Sequence, residues 1–164
     1  MGKILKNIII VSVFMSILFS CSSDGCLDNQ SSIPLAGFYS SATNEAVSLD
    51  SINIYGIGAT GDSLLSVIGT STQQVYLPFR STQDSTSFCV HYGYTEVSSP
   101  QMNDTILFKY NSTIYFASEE CGAMYKYDIT SIQYTRHIID TIIISNPEIN
   151  NIDIERIKIY FQPN

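Results

Sequence analysis

The chain has 164 residues, eight of them basic against fifteen acidic, and no tryptophan. An acidic surface of low charge density lacks the basic stripe that phosphate backbones require, which excludes nucleic acid as an expected ligand. Ser, Thr, Ile, Asn and Tyr crowd the chain while helix formers are scarce, a bias towards strands.

Residues 1–20 have the parts of a secretory leader: Lys3 and Lys6, an apolar run from Ile8 to Phe19, and Ser20 at the cut. The run is too short to span a bilayer comfortably. Leu18-Phe19-Ser20-Cys21 resembles the lipobox read by bacterial lipoprotein signal peptidase, although Phe19 is bulkier than the usual residue there. The expectation is therefore removal of residues 1–20 and lipid on Cys21, the alternative being a plain signal peptide or a short anchor. Two or more acyl chains hold a protein firmly to a membrane without a transmembrane helix. Loss of Lys3 and Lys6 leaves six basic residues against fifteen acidic ones, a formal charge of −9, so a second, electrostatic attachment to anionic lipid is not expected.

Residues 21–33 are short, polar and aperiodic, which reads as a lipidated tether. Residues 34–164 read as one β-domain. Apolar or alternating runs are predicted as strands at Leu35–Tyr39, Val47–Tyr55, Leu64–Ile68, Val75–Phe79, Ser87–Tyr94, Ile106–Tyr110, Thr113–Ala117, Met124–Ile132, Ile138–Ser145 and Ile157–Phe161. About ten short strands with frequent turn signals predict an all-β fold, an antiparallel β-sandwich of Ig-like or similar Greek-key type. Asn111-Ser112, between two β-rich runs, predicts a tight hairpin.

Gly56, Gly58 and Gly61 spell G-x-G-x-x-G, but only about seven residues follow before Gly69. A dinucleotide site needs those glycines to open a crossover helix, so a Gly-rich turn is expected instead. Asp precedes Ser or Thr at Ser51, Ser63, Ser85, Thr105 and Thr141, each at or near a predicted strand start. Turn chemistry explains the pattern, since Asp and hydroxyl side chains bond nearby amides. It also resembles the Asp-(Ser/Thr)-apolar acceptor of the general protein O-glycosylation system of Bacteroidota.

Cys89 and His91 fall on one face of a strand, with no third group to orient the imidazole as nucleophilic catalysis would need. Glu119 and Glu120 read as a solvated loop, and neither His91 nor His137 has a partner at metal-ligand spacing. No metal and no cofactor is expected. With Cys21 lipidated, three cysteines remain and at most two can pair. Cys26 in the tether and Cys121 in a Gly-flanked turn are the accessible choice, leaving Cys89 as a buried thiol. Cys89 as a disulfide partner is the alternative. Cys26 is five residues from Cys21, so the bridged site can be no more than about 18 Å from the lipid.

The order Cys21 and Cys26, Pro34-Leu-Ala-Gly-Phe38-Tyr39, Tyr55-Gly-Ile-Gly58, Asp62-Ser-Leu64, Leu77-Pro78, Phe116-Ala-Ser118 with Cys121-Gly122, and Ile157-Lys-Ile-Tyr-Phe161 resembles a family of small uncharacterised Bacteroidota envelope lipoproteins, a domain of unknown function. The resemblance implies a β-rich envelope lipoprotein with recurring cysteines at Cys26 and Cys121, and it brings no activity. The expected function is thus non-enzymatic: an outer-membrane lipoprotein that binds or supports a protein partner in the envelope, with an outer-membrane β-barrel as the partner class considered. The second expectation is a surface module for glycan or host ligand, for which Ser22-Ser23-Asp24 weakly resembles an export signal. A hydrolase using Cys89 and His91, or Glu119 and Glu120, ranks last.

Overall fold

The computed structural model describes residues 31–58, 65, 71–93, 100–119 and 121–162. The predicted leader, Cys21, Cys26, Ser63, Glu120 and most of the predicted strand Leu64–Ile68 lie outside the described residues.

Among the described residues nine strands form two packed sheets: β1 Leu35–Ser40, β2 Ile52–Gly56, β3 Gln74–Tyr76, β4 Ser85–Tyr92, β5 Asp104–Ser118, β6 Gly122–Tyr134, β7 Ile139–Ile144, β8 Glu148–Ile149 and β9 Glu155–Phe161. The first sheet runs β3-β1-β9-β7 and the second β2-β4-β5-β6-β8. The chain changes sheet at every connection except β4–β5 and β5–β6, so most strands meet their neighbours only after crossing the core. An all-β sandwich is what the composition and alternation predict. Pairing is antiparallel throughout except between β1 and β9, the first and last strands, which lie parallel.

Alternation decides which side chains enter the core. Along β4, Phe88, Val90 and Tyr92 point inward with Ile106, Phe108 and Tyr110 of β5, while Phe38, Ile157, Ile159 and Phe161 face them from the first sheet. Full burial of each such side chain contributes about 1.5–3 kcal/mol. At one end of the sandwich the Phe79 ring stacks on Tyr110 with centroids 4.5 Å apart and meets Tyr127 edge-on at 5.5 Å. Both arrangements suit the ring quadrupole. At the other end Tyr92 packs edge-on against Phe161 at 6.4 Å.

The predicted hairpin at Asn111-Ser112 is overturned. Both residues sit inside the single strand β5, opposite Asp128 and Tyr127, and the chain reverses only after Ser118. A tight hairpin turn is helped by residues with positive φ, which Gly adopts freely, and Gly122 has φ of 68°. Lys109 faces Ser131 but Tyr110 faces Ile129, so Thr130 is a bulge. The extra residue switches the inward parity of β6 from Ile132 to Ile129 and Tyr127. Two further departures are small: the run beginning at Val47 contributes only a bridge at Leu49 before β2, and the two-residue β8 has no predicted counterpart. At the Gly-rich turn, Gly58 has φ of 73° and the Arg80 guanidinium donates to the Ile57 carbonyl oxygen at 2.7 Å. Gly61 lies outside the described residues.

Candidate functional site

Both histidines come together at the start of β5. His91 Nδ1 is 3.0 Å from Asn103 Oδ1, and His137 Nδ1 is 2.9 Å from the Asn103 carbonyl oxygen. Beside them Asp104 is fully buried. Its Oδ1 accepts from the His137 amide at 2.8 Å and the Thr135 hydroxyl at 2.7 Å. Its Oδ2 accepts from the amides of Ile138 and Ile139, each at 2.9 Å, and from the Tyr92 hydroxyl at 2.8 Å.

Burial alone would raise the Asp104 carboxyl, but the amides of His137, Ile139 and Ile138 and the Thr135 hydroxyl outweigh it and hold the group below its ordinary value. Burial and the neighbouring Asp104 charge push the Tyr92 phenol far up. A carboxylate offers about four lone-pair directions, and five donors converge on this one. No acceptor position is left for a substrate proton, so the node fastens structure. It anchors the loop entering β7 of the first sheet to β4 and β5 of the second.

The other sequence candidates are dispersed. Cys89 is a free, buried cysteine, as its setting in Ser-Phe-Cys-Val-His predicts. It alternates with Phe88 and Val90 and lies outside the core cluster, on the same side of β4 as His91. Glu119 follows the far end of β5, sixteen residues from Asn103, a separation of roughly 50 Å along an extended strand. Among the described residues no group of three or more His, Cys, Asp or Glu could hold a metal ion. Cys121 is disulfide-bonded, and its predicted partner Cys26 lies outside the described residues.

Four Asp-Ser/Thr pairs are described, each at a strand start. Ser51 directly precedes β2, Ser85 opens β4, and Thr105 follows Asp104 in β5. Thr141 follows Asp140, the bulged residue of β7. Local hydrogen bonding accounts for part of the pattern: Ser85 Oγ donates to Asp84 Oδ1 at 3.2 Å. Asp104 instead reaches residues 31 to 35 positions downstream.

The most conspicuous surface feature is an arm. Beyond Tyr110, β5 leaves its partner β4 and continues to Ser118 paired with β6, whose Tyr127 and Asp128 in turn pair with β8; Ser112 bonds the Ser81 carbonyl oxygen and Tyr115 bonds Asn151. Eight residues of extended chain carry the tip roughly 25 Å past the Phe79 cluster. One face of this ribbon prolongs the core face of the second sheet: Ser112, Ile114 and Phe116 with their cross-strand partners Tyr127, Tyr125 and Ala123. Tyr127 is buried under Phe79, but Ile114 and Phe116 are 66% and 68% exposed. The opposite face carries Lys126 and Asp128. There Asn111, Thr113, Lys126, Asp128 and Glu148 line a shallow cleft of about 380 Å³.

In sequence Ile114 and Phe116 look like core residues. Their exposure follows from where the first sheet stops, which no local pattern encodes.

No curated protein and no solved structure matches the chain. Residues 51–161, the whole of β2 to β9, match the family of unknown function DUF6452, and the chain belongs to that family.

Proposed function

We propose that the chain is a lipid-anchored envelope protein without catalytic activity, tied at Cys21 and bridged from Cys26 to Cys121, that binds or supports a protein partner at the outer membrane through its β5–β6 arm. The observation that carries the reading is the arm itself. The core ends at about Tyr127, yet β5 and β6 run on to the turn between Ser118 and Gly122 and leave Ile114 and Phe116 exposed. Open backbone edges of such a ribbon pair readily with an extended segment of another protein, giving affinity through main-chain hydrogen bonds. The leader and lipobox support the anchor, and the disulfide-bonded state of Cys121 fits a tip tied to the tether.

The test is a photo-crosslinking amino acid at Thr113, exposed on the arm, in intact cells, with the same residue at Ser48 as a control on the body. A discrete adduct from Thr113 alone, identified as an envelope protein, is expected. A chain that runs alone after irradiation at both sites rules out the partner.

A second reading, a surface module for glycan, is favoured by one observation. Tyr39 and Tyr160 stand side by side on the outer face of the first sheet with centroids 5.3 Å apart, and the Lys158 ammonium lies over the Tyr39 ring at 4.8 Å. Glycan-array binding lost on Tyr160→Ala would favour it over the partner reading.

A further inference from the structure

We propose that the uncharged face of the β5–β6 arm rests on the lipid surface to which the chain is anchored, with Ile114, Phe116 and Tyr125 seated at the level of headgroups and upper acyl chains. The inference rests on the lipid-anchor reading above and deepens it, leaving the edges and the charged face of the arm for a protein partner.

Covalent continuity limits where the arm can be. Cys121 at the tip is disulfide-bonded while Cys89 is free. Cys21 and Cys26 are the remaining cysteines of the sequence. With Cys21 carrying lipid the bridge proposed above takes Cys26 as its other half, and five residues of chain span at most about 18 Å. The tip cannot stand farther than that from the bilayer. Phe116 pairs with Ala123 and Ile114 with Tyr125, the rungs next to the tip, so both side chains fall within reach when the arm lies along the surface.

Composition then selects the face. Ser112, Ile114, Phe116, Ala123 and Tyr125 share one side with no charge among them, whereas Lys126 and Asp128 project from the other. Ile114 and Phe116 are about two-thirds exposed and Tyr125 is 37% exposed. Apolar side chains flanked by tyrosine match the depth profile of a membrane interface, where an amphipathic ring has one end dry and one end wet. The mature charge of −9 provides no basic patch for anionic headgroups, so attraction must come from apolar burial, as it does for interfacial amphipathic segments.

The absence of tryptophan makes the test clean. Full-length chain is expressed with its leader, purified from membranes, and reconstituted into phosphatidylethanolamine–phosphatidylglycerol vesicles containing lipid brominated on the acyl chain. A single Phe116→Trp reporter should shift its emission to the blue and lose about half its intensity to bromine, as expected for a side chain buried about 5–10 Å into the interface. Ile143→Trp, exposed on β7 of the other sheet, should keep its intensity. Circular dichroism confirms that both variants fold. If intact mass and flotation show the chain anchored yet Phe116→Trp is unquenched, the lipid face is wrong while the anchor stands. If the Trp is unquenched but shielded from acrylamide, a protein or a second copy covers the face, which also overturns the inference. If intact mass shows no lipid on the mature chain, the anchor reading fails and this inference with it.

Discussion

The Tyr92 hydroxyl donates to Asp104 Oδ2 at 2.8 Å with both side chains withdrawn from solvent, closing a carboxylate that four further donors already occupy. That bond joins the inward faces of β4 and β5, and the remaining donors bring in the chain on its way to β7. A buried charge is tolerable only when its lone pairs are met. Here they are met entirely by residues of the fold, so the only acid brought to the two histidines among the described residues is committed to architecture.

Asp104→Asn tests that commitment. An amide keeps one acceptor oxygen but turns the other into an NH₂ facing the Tyr92 hydroxyl and the amides of Ile138 and Ile139. Donors would then confront donors in a dry site. The expected loss is about 3–5 kcal/mol of folding free energy, read by urea denaturation. Tyr92→Phe removes one bond to a charged acceptor and should cost less, about 1.5–3 kcal/mol. An Asp104→Asn variant within about 1 kcal/mol of the parent, the worth of one neutral hydrogen bond, would show that the node does not hold the sheets together.

The same node sets the acid limb of stability. The folded Asp104 carboxyl lies below its ordinary value of 3.8, so the unfolded state takes up the proton first. Its contribution is fully present above about pH 4 and is lost as pH falls through the folded value. Midpoints of thermal unfolding should therefore drop below about pH 4 in the parent. The drop should be shallower in Asp104→Asn, where no proton is taken up at this position. Parallel acid limbs in the two proteins would assign the acid sensitivity elsewhere.

What the sequence displays and what it hides divide along the range of the interactions. Alternation through Ile106-Leu-Phe-Lys-Tyr110 and through Thr113-Ile-Tyr-Phe-Ala117 is local, and both runs are strand. Asn111-Ser112 looks like a break because its residue types favour turns, yet Ser112 Oγ donates to the Ser81 carbonyl oxygen at 2.9 Å and the strand continues. Thr130 hides for a similar reason: a bulge scrambles the period-two pattern of β6 without any Gly or Pro to mark it. The role of Asp104 is written in residues more than thirty positions away. Read in sequence, Asp104-Thr105 is only one of five similar pairs, and nothing local sets it apart. The exposed Ile114 and Phe116 are hidden most deeply, because their environment is defined by where the facing sheet ends.

The turn at the arm tip depends on one backbone conformation. Gly122 has φ of 68°, and a Cβ added there would meet no atom within 4 Å. Any cost of substitution is therefore conformational and not steric crowding. Gly122→Val should destabilise by about 1–2 kcal/mol, the penalty for a left-handed residue with a side chain. Gly122→Asn should be milder, since Asn tolerates that region. Equal stability of the two variants in chemical denaturation would mean that the tip relaxes freely and does not fix the pairing of Phe116 with Ala123.

The proposed bridge from Cys26 to Cys121 encloses most of the domain and should contribute about 4–5 kcal/mol through loss of unfolded-state entropy. Cys26→Ala and Cys121→Ala should then lower thermal stability by the same amount, and the double variant by no more than either, because each removes the same covalent link. Thiol chemistry gives an independent reading. Cys89 is only 6% exposed, so native parent protein should react slowly with a thiol reagent, whereas each single variant should show one fast-reacting group. Cys21→Ala should leave the stability of the domain unchanged and mislocalise it, which separates the anchor from the bridge. A Cys121→Ala protein with parental melting temperature and no newly reactive thiol would rule out the bridge, and with it the constraint that keeps the arm near the lipid.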